Sequence, residues 1–91
     1  MGVKPSMPYI KQNQRAKIDP IIGPIRDWVS NDVDEGNLNY IITRIIQAWP
    51  GATYADHNLI IGVLECVKQE YYRRVVVPYE QSKTEANGDV Y

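Results

Sequence analysis

Residues 38–49 read LNYIITRIIQAW, and the spacing of their apolar side chains decides the fold class. These side chains recur three and four residues apart, which places them along one face of an α-helix. They are Leu38, Ile41, Ile42, Ile45, Ile46 and Trp49. Pro50 and Gly51 follow directly and are typical of a helix end. We therefore predict a helix over residues 38–49.

A longer helix is predicted over residues 54–77. Thr53 is a favourable N-cap, and Asp56 stands at the third helical position, where a carboxylate suits the positive helix end. Apolar residues continue at helical spacing to Tyr71, so we expect Tyr71 and the thiol of Cys66 to be buried.

Pro78 is expected to kink this long helix, because proline lacks a backbone N–H and crowds the preceding turn. Residues 79–86 are compatible with a helical continuation, and Asn87-Gly88 is typical of a C-terminal cap.

The first half of the chain predicts a shorter helix over residues 18–29, beginning at Asp19-Pro20. Gly23-Pro24 is expected to separate or kink its first turn. Residues 1–17 contain four basic side chains and no acid, and they predict an extended or mobile basic arm. The predicted organisation is an arm over 1–17, a helical domain over 18–86 and a tail over 87–91.

These elements predict an all-α fold, a small three-helix domain whose long C-terminal helix is kinked at Pro78. The chain has 91 residues, of which 44% are hydrophobic. A chain this short leaves much apolar surface exposed unless it finds a partner. We therefore expect a homo-oligomer.

Composition and motifs argue against several function classes. A formal net charge of −1 is weak for a protein that binds duplex nucleic acid. No apolar run is long enough to cross a bilayer, residues 1–17 do not resemble a secretory signal, and Cys66 is the only cysteine. These features predict a cytoplasmic protein with no membrane partner.

Catalytic and metal-binding templates are also missing from the sequence. His57 is the only histidine, and we interpret it as a surface or capping residue. The acidic residues Asp32, Asp34 and Glu35 favour turn formation and helix capping over calcium binding, because the spacing of calcium ligands is absent. We expect a non-enzymatic protein without a metal or cofactor.

The candidate ligand site is the segment that follows Tyr71. Arginine offers a planar fork of donors to phosphate or carboxylate, and tyrosine adds a stacking face and a hydroxyl. The first choices are Tyr72, Arg73 and Arg74, and the second choices are Lys11, Tyr40 and Arg44. The alternative for the same residues is a set of internal ion pairs, such as Arg73 with Glu70, at a subunit interface.

Several segments resemble a family of short helical proteins of bacteria and tailed phages. They include LNY at 38–40, GVLECVK at 62–68, YYRR at 71–74 and NGDVY at 87–91. The resemblance implies a free-standing protein of phage or bacterial origin, located in the host cytoplasm if a phage encodes it, but it implies no activity.

The leading functional hypothesis is a small oligomeric binding protein that holds or sequesters an anionic, nucleotide-like small molecule. One alternative is a protein-interaction module, an inhibitor or adaptor, that docks on a larger partner through residues 79–91. A minor structural protein of a phage particle is another.

Overall fold

The computed structural model describes residues 10–32 and 34–91, and within them every regular element is a helix. The structure divides into a first unit, which ends at Gln47, and a second unit, from Ala48 to Tyr91. The predicted all-α class is confirmed, with three helical stretches of which the last is long.

Helix α1 spans Gln12–Asp32 and contains both Pro20 and Pro24. It begins before the predicted start at Asp19-Pro20, because the backbone carbonyl of Lys11 accepts the N–H groups of Gln14 and Arg15, each at 3.1 Å. The prediction of an extended conformation is therefore wrong for residues 12–17. Residues 1–9 of the predicted arm, including Lys4, lie outside the described residues.

Helix α2 spans Glu35–Gln47, so it begins and ends earlier than the predicted 38–49. Its start is set by Asp34, whose side chain accepts the backbone N–H of Asn37 at 2.8 Å. The backbone N–H of Leu38 donates to the carbonyl of Asp34 at 3.0 Å. The capping role predicted for this acidic segment is thereby confirmed at Asp34.

The second unit is a continuous helical stretch in three parts. Helix α3 spans Tyr54–Tyr71, a π-helical turn covers Tyr72–Val76, and helix α4 spans Val77–Asn87. Gly88 ends α4 with a φ of 88°, a conformation that favours glycine, and its N–H donates to Thr84 O at 2.8 Å. The C-terminal cap predicted at Asn87-Gly88 is confirmed.

The π turn directly precedes Pro78, which stands in the first turn of α4. The backbone N–H of Val77 donates to the carbonyl of Tyr72, five residues earlier. This wider register replaces the ordinary α-helical pattern where proline would crowd the turn before it.

Among residues 10–32 and 34–91 no hydrophobic side chain is buried. Tyr71 is 61% exposed and Cys66 is exposed, so within the single chain both predictions of burial are wrong. The apolar face of α3 follows the predicted helical spacing, but no surface among the described residues buries it. None of the helices in the described ranges is sufficiently long and apolar to span a membrane.

Candidate functional site

The first-choice arginines converge on one carboxylate. Arg73 donates from Nη2 to Oε1 of Glu70, and Arg74 donates from Nε to Oε2 of the same residue at 2.7 Å. We call Glu70, Arg73 and Arg74 the arginine clamp. The arginines are three and four residues beyond Glu70, the two separations at which side chains meet on a helix.

The arginine clamp is open to solvent and carries a net positive charge. The side chains of Arg73 and Arg74 are 62% and 67% exposed, and that of Glu70 is 42% exposed. Two guanidinium groups against one carboxylate leave one positive charge in excess. The arrangement is therefore able to attract a further anion, although Glu70 already occupies donors on both arginines.

Tyr72 lies on the same turn but pairs elsewhere. Its hydroxyl donates to Oε1 of Glu80 at 3.2 Å, across a separation of eight residues. Residues seven apart share a face in an α-helix, and the π turn adds one residue to that spacing. The negative charge of Glu80, and secondly this hydrogen bond, raise the pKa of the Tyr72 phenol. The Tyr72 hydroxyl is therefore paired with Glu80 and not with the arginine clamp.

The second-choice residues all belong to the first unit. Lys11 directly precedes α1, whereas Tyr40 and Arg44 lie one turn apart on α2. Tyr40 is 64% exposed, and Arg44 donates weakly to Oε1 of Gln47 at 3.5 Å. The structure brings Arg73 and Arg74 together in the second unit and sets Tyr40 and Arg44 one turn apart on α2 in the first unit.

A second group of side chains surrounds one carboxylate at the start of α3. The sequence predicts only some of its members. We call Trp49, Gly51, Thr53 and Asp56 the cap cluster. Thr53 and Asp56 form the predicted capping box: the Asp56 N–H donates to Thr53 Oγ1 at 3.2 Å, and the Thr53 N–H donates to Asp56 Oδ2 at 3.1 Å. The Thr53 hydroxyl also donates to Asp56 Oδ2 at 2.7 Å.

Trp49 completes the cap cluster, because its indole N–H donates to Asp56 Oδ1 at 3.2 Å. A methyl group on Gly51 would overlap the Asp56 carboxylate, so this glycine leaves the space that the carboxylate fills. The hydrogen bonds from Thr53, followed by that from Trp49, lower the pKa of Asp56. Thr53 and Asp56 are recognisable from sequence, but nothing in the helical periodicity connects Trp49 to them.

Two further side chains with reactive groups, Cys66 and His57, lie on helix α3. Cys66 and His57 are both exposed, on the same helix, and the backbone N–H of His57 donates to Thr53 O at 3.0 Å as part of the helix start. No group of three His, Cys, Asp or Glu side chains within 10–32 and 34–91 is placed to hold a metal ion. A shallow groove at the start of α1 is lined by Ile10, Arg15, Ile18 and Asp19.

Comparison with known proteins assigns the family. Residues 7–90 match the family described as a domain of unknown function, DUF6899. The chain belongs to this family. No curated protein and no solved structure matches it. Membership agrees with the predicted resemblance only in that the family is one of unknown function. It adds neither an activity nor an origin, so function rests on the arrangement of the side chains.

Proposed function

We propose that this DUF6899 protein is a non-enzymatic binding protein that works as an assembly of its own chain. The observation that carries the proposal is the exposure of the apolar side chains on every described helix, with no buried hydrophobic residue among those described. Exposed apolar surface of this extent is typical of a protein–protein interface. Amphipathic helices of this kind gain most of their stability from packing.

Sedimentation equilibrium of the full chain tests the assembly. The expected result is a mass that is a multiple of the 10.4 kDa chain and falls toward that value on dilution. A mass of one chain at every concentration would contradict the proposal. It would then favour the alternative in which the helices dock on a different, larger protein.

Within the assembly, the second candidate function is the binding of an anionic, nucleotide-like small molecule. It is favoured by the convergence of Arg73 and Arg74 on Glu70, because two guanidinium groups that already hold a carboxylate suit phosphate equally well. Tyr72 is a further candidate contact through its ring, while its hydroxyl pairs with Glu80. Lys11, Tyr40 and Arg44 are candidates within the first unit alone. An incoming anion would have to displace Glu70.

Calorimetry with a panel of nucleotides tests this second function. Glu70→Gln should bind more tightly than the natural chain, because the internal competitor has lost its charge, whereas Arg73→Ala and Arg74→Ala should bind more weakly. Lys83→Ala is the matched control, since Lys83 is an exposed cation on the same unit that faces the Tyr79 ring at 5.5 Å. No heat with any nucleotide, in the natural chain or in Glu70→Gln, would exclude the ligand and leave the assembly standing.

The proposal also includes a phage or bacterial origin, a cytoplasmic location and a kink at Pro78. Proline in the first turn of α4 and the π turn before it are the usual causes of a bent helix. A bend there would direct α4 away from the axis of α3.

A further inference from the structure

One line of apolar side chains runs along the second unit from Ile60 to Tyr79. Ile60, Leu64, Val67 and Tyr71 are spaced by four, three and four residues, the heptad spacing of helices that pack side by side. We call these residues, with Val75 and Tyr79, the stripe. The stripe lies on α3, the π turn and α4.

The π turn keeps the stripe on one face. Tyr71 and Tyr79 are eight residues apart, which in an uninterrupted α-helix would rotate them by about 80° from one another. The extra residue of the π turn removes this offset. Tyr72 and Glu80 are also eight residues apart. Their hydrogen bond shows that side chains at this spacing lie on the same face across the π turn.

Four of the six side chains of the stripe are exposed, and those of Ile60 and Leu64 are half-buried. Val67, Tyr71 and Tyr79 are 62%, 61% and 61% exposed, and Val75 is 48% exposed. Because one aromatic side chain can bury roughly 150–250 Å², the whole stripes of two copies hold on the order of 1,000 Å² of apolar surface, and residues 60–71 supply part of it.

The charges beside the stripe select the orientation of that second copy. Asp56 and Glu65 give residues 54–65 a formal charge of −2, with His57 neutral. Residues 66–76 carry three basic side chains and Glu70, which gives +2. Parallel copies would place like charges together, whereas antiparallel copies place the acidic block beside the basic block.

The ion pairs within one chain leave these charged side chains free to pair across an interface. Lys68 Nζ is 3.2 Å from Glu65 Oε1 within the chain, and the two side chains are 71% and 48% exposed. A pair this exposed contributes little and is easily exchanged for a partner across an interface.

We infer that the stripe is the surface through which two copies of this chain pack, antiparallel, with Ile60 of one copy facing Tyr71 of the other and Leu64 facing Val67. This inference rests on the proposed self-assembly and adds the surface and its direction.

Substitution on and off the stripe tests the surface. Val67→Asp should raise the dissociation constant of the full-length assembly by at least about tenfold, the cost of a charge in an apolar contact. Ile61→Asp is the matched control: Ile61 is 66% exposed on the same helix, six residues from Val67 and about 120° around the axis. It should change the constant much less. An equal effect of both variants, or none from Val67→Asp in a chain that still assembles, would overturn the stripe.

Cross-linking tests the direction and does not depend on a destabilising variant. In a Cys66→Ser background, Ile60→Cys and Tyr71→Cys chains are mixed, one carrying an affinity tag, and treated with a short bis-maleimide. Antiparallel packing predicts a mixed 60-to-71 product and little product from either chain alone. Strong self-linking of each chain would show parallel packing and overturn the inference. A monomer in sedimentation would instead overturn the proposed assembly itself.

Discussion

Asp56 in the cap cluster and Glu70 in the arginine clamp are both carboxylates with several donors, but the donors differ in kind. The Asp56 carboxylate accepts hydrogen bonds from the backbone N–H and hydroxyl of Thr53 and from the Trp49 indole. The backbone N–H of Asp56 donates to the Thr53 hydroxyl. Glu70 accepts only from the flexible side chains of Arg73 and Arg74. The cap cluster therefore defines where a helix begins, whereas the arginine clamp can exchange its anion without altering the backbone.

The largest expected effect comes from two glycine substitutions with opposite signs. Gly51→Ala should lower the free energy of unfolding by about 1–2 kcal/mol, because the new methyl group displaces Asp56 and with it the helix cap. Gly62→Ala should raise it by about 1 kcal/mol, because a mid-helix glycine is unfavourable and nothing lies within 4 Å of the added carbon. Urea unfolding followed by circular dichroism measures both.

A loss of stability in both variants would contradict this contrast. It would place Gly62 at a close helix crossing in the assembled protein, where an added methyl group has no room.

Thr53→Ala should cost about 1 kcal/mol, the usual loss on removing a threonine N-cap. The hydroxyl that the Asp56 N–H needs is removed, while the backbone half of the capping box remains. Thr53→Ser is the control, since serine keeps the hydroxyl and should behave like the natural chain. Equal losses in the alanine and serine variants would show that the methyl group, and not the cap, stabilises this turn.

The two carboxylate regions should also differ in their response to pH. Hydrogen bonds from Thr53 hold the pKa of Asp56 below its ordinary value near 3.8, so its stabilising contribution is present above that value and is lost as the pH falls through the lower, folded pKa. The raised pKa of Tyr72 makes stability depend on pH in the opposite direction. Its contribution is present below the ordinary value near 10.0 and is lost as the pH rises through the folded pKa.

Measuring the free energy of unfolding as a function of pH tests both contributions. The acid-side loss should shrink in Thr53→Ala, and the alkaline loss should shrink in Glu80→Gln, which removes the charge that shifts Tyr72. Unchanged profiles in both variants would contradict the assigned causes.

Glu70→Gln should have the smallest effect on stability, within about 0.5 kcal/mol, because exposed ion pairs on a helix are weak. Thermal unfolding of this variant beside Thr53→Ala compares the arginine clamp with the cap cluster directly. A loss at Glu70 as large as the loss at Thr53 would mean that the arginine clamp is structural and is not available to an outside anion.

Local chemistry made several features predictable. The cap at Thr53, the caps at Asp34 and Gly88, and the pairing of Arg73 with Glu70 all follow from residues within four positions of one another. The start of α1 was missed because Pro20 and Pro24 suggested a boundary, whereas each proline removes only one donor from a helix that Lys11 has already begun.

Other features depend on contacts that the spacing of apolar residues in the sequence does not predict. The π turn gives no signal of its own in the sequence, and the partnership of Tyr72 with Glu80 depends on it. The burial expected of Tyr71 was wrong for the single chain, because an apolar stripe specifies a face but not the surface that covers it.

The dependence of the melting temperature on protein concentration tests the central claim most directly, since it asks whether this chain completes its apolar contacts with copies of itself. Circular dichroism of the full chain over about 1–100 µM should show a melting temperature that rises with concentration, as coupled folding and association require. A melting temperature that stays constant across this range, with the chain folded throughout, would contradict the account.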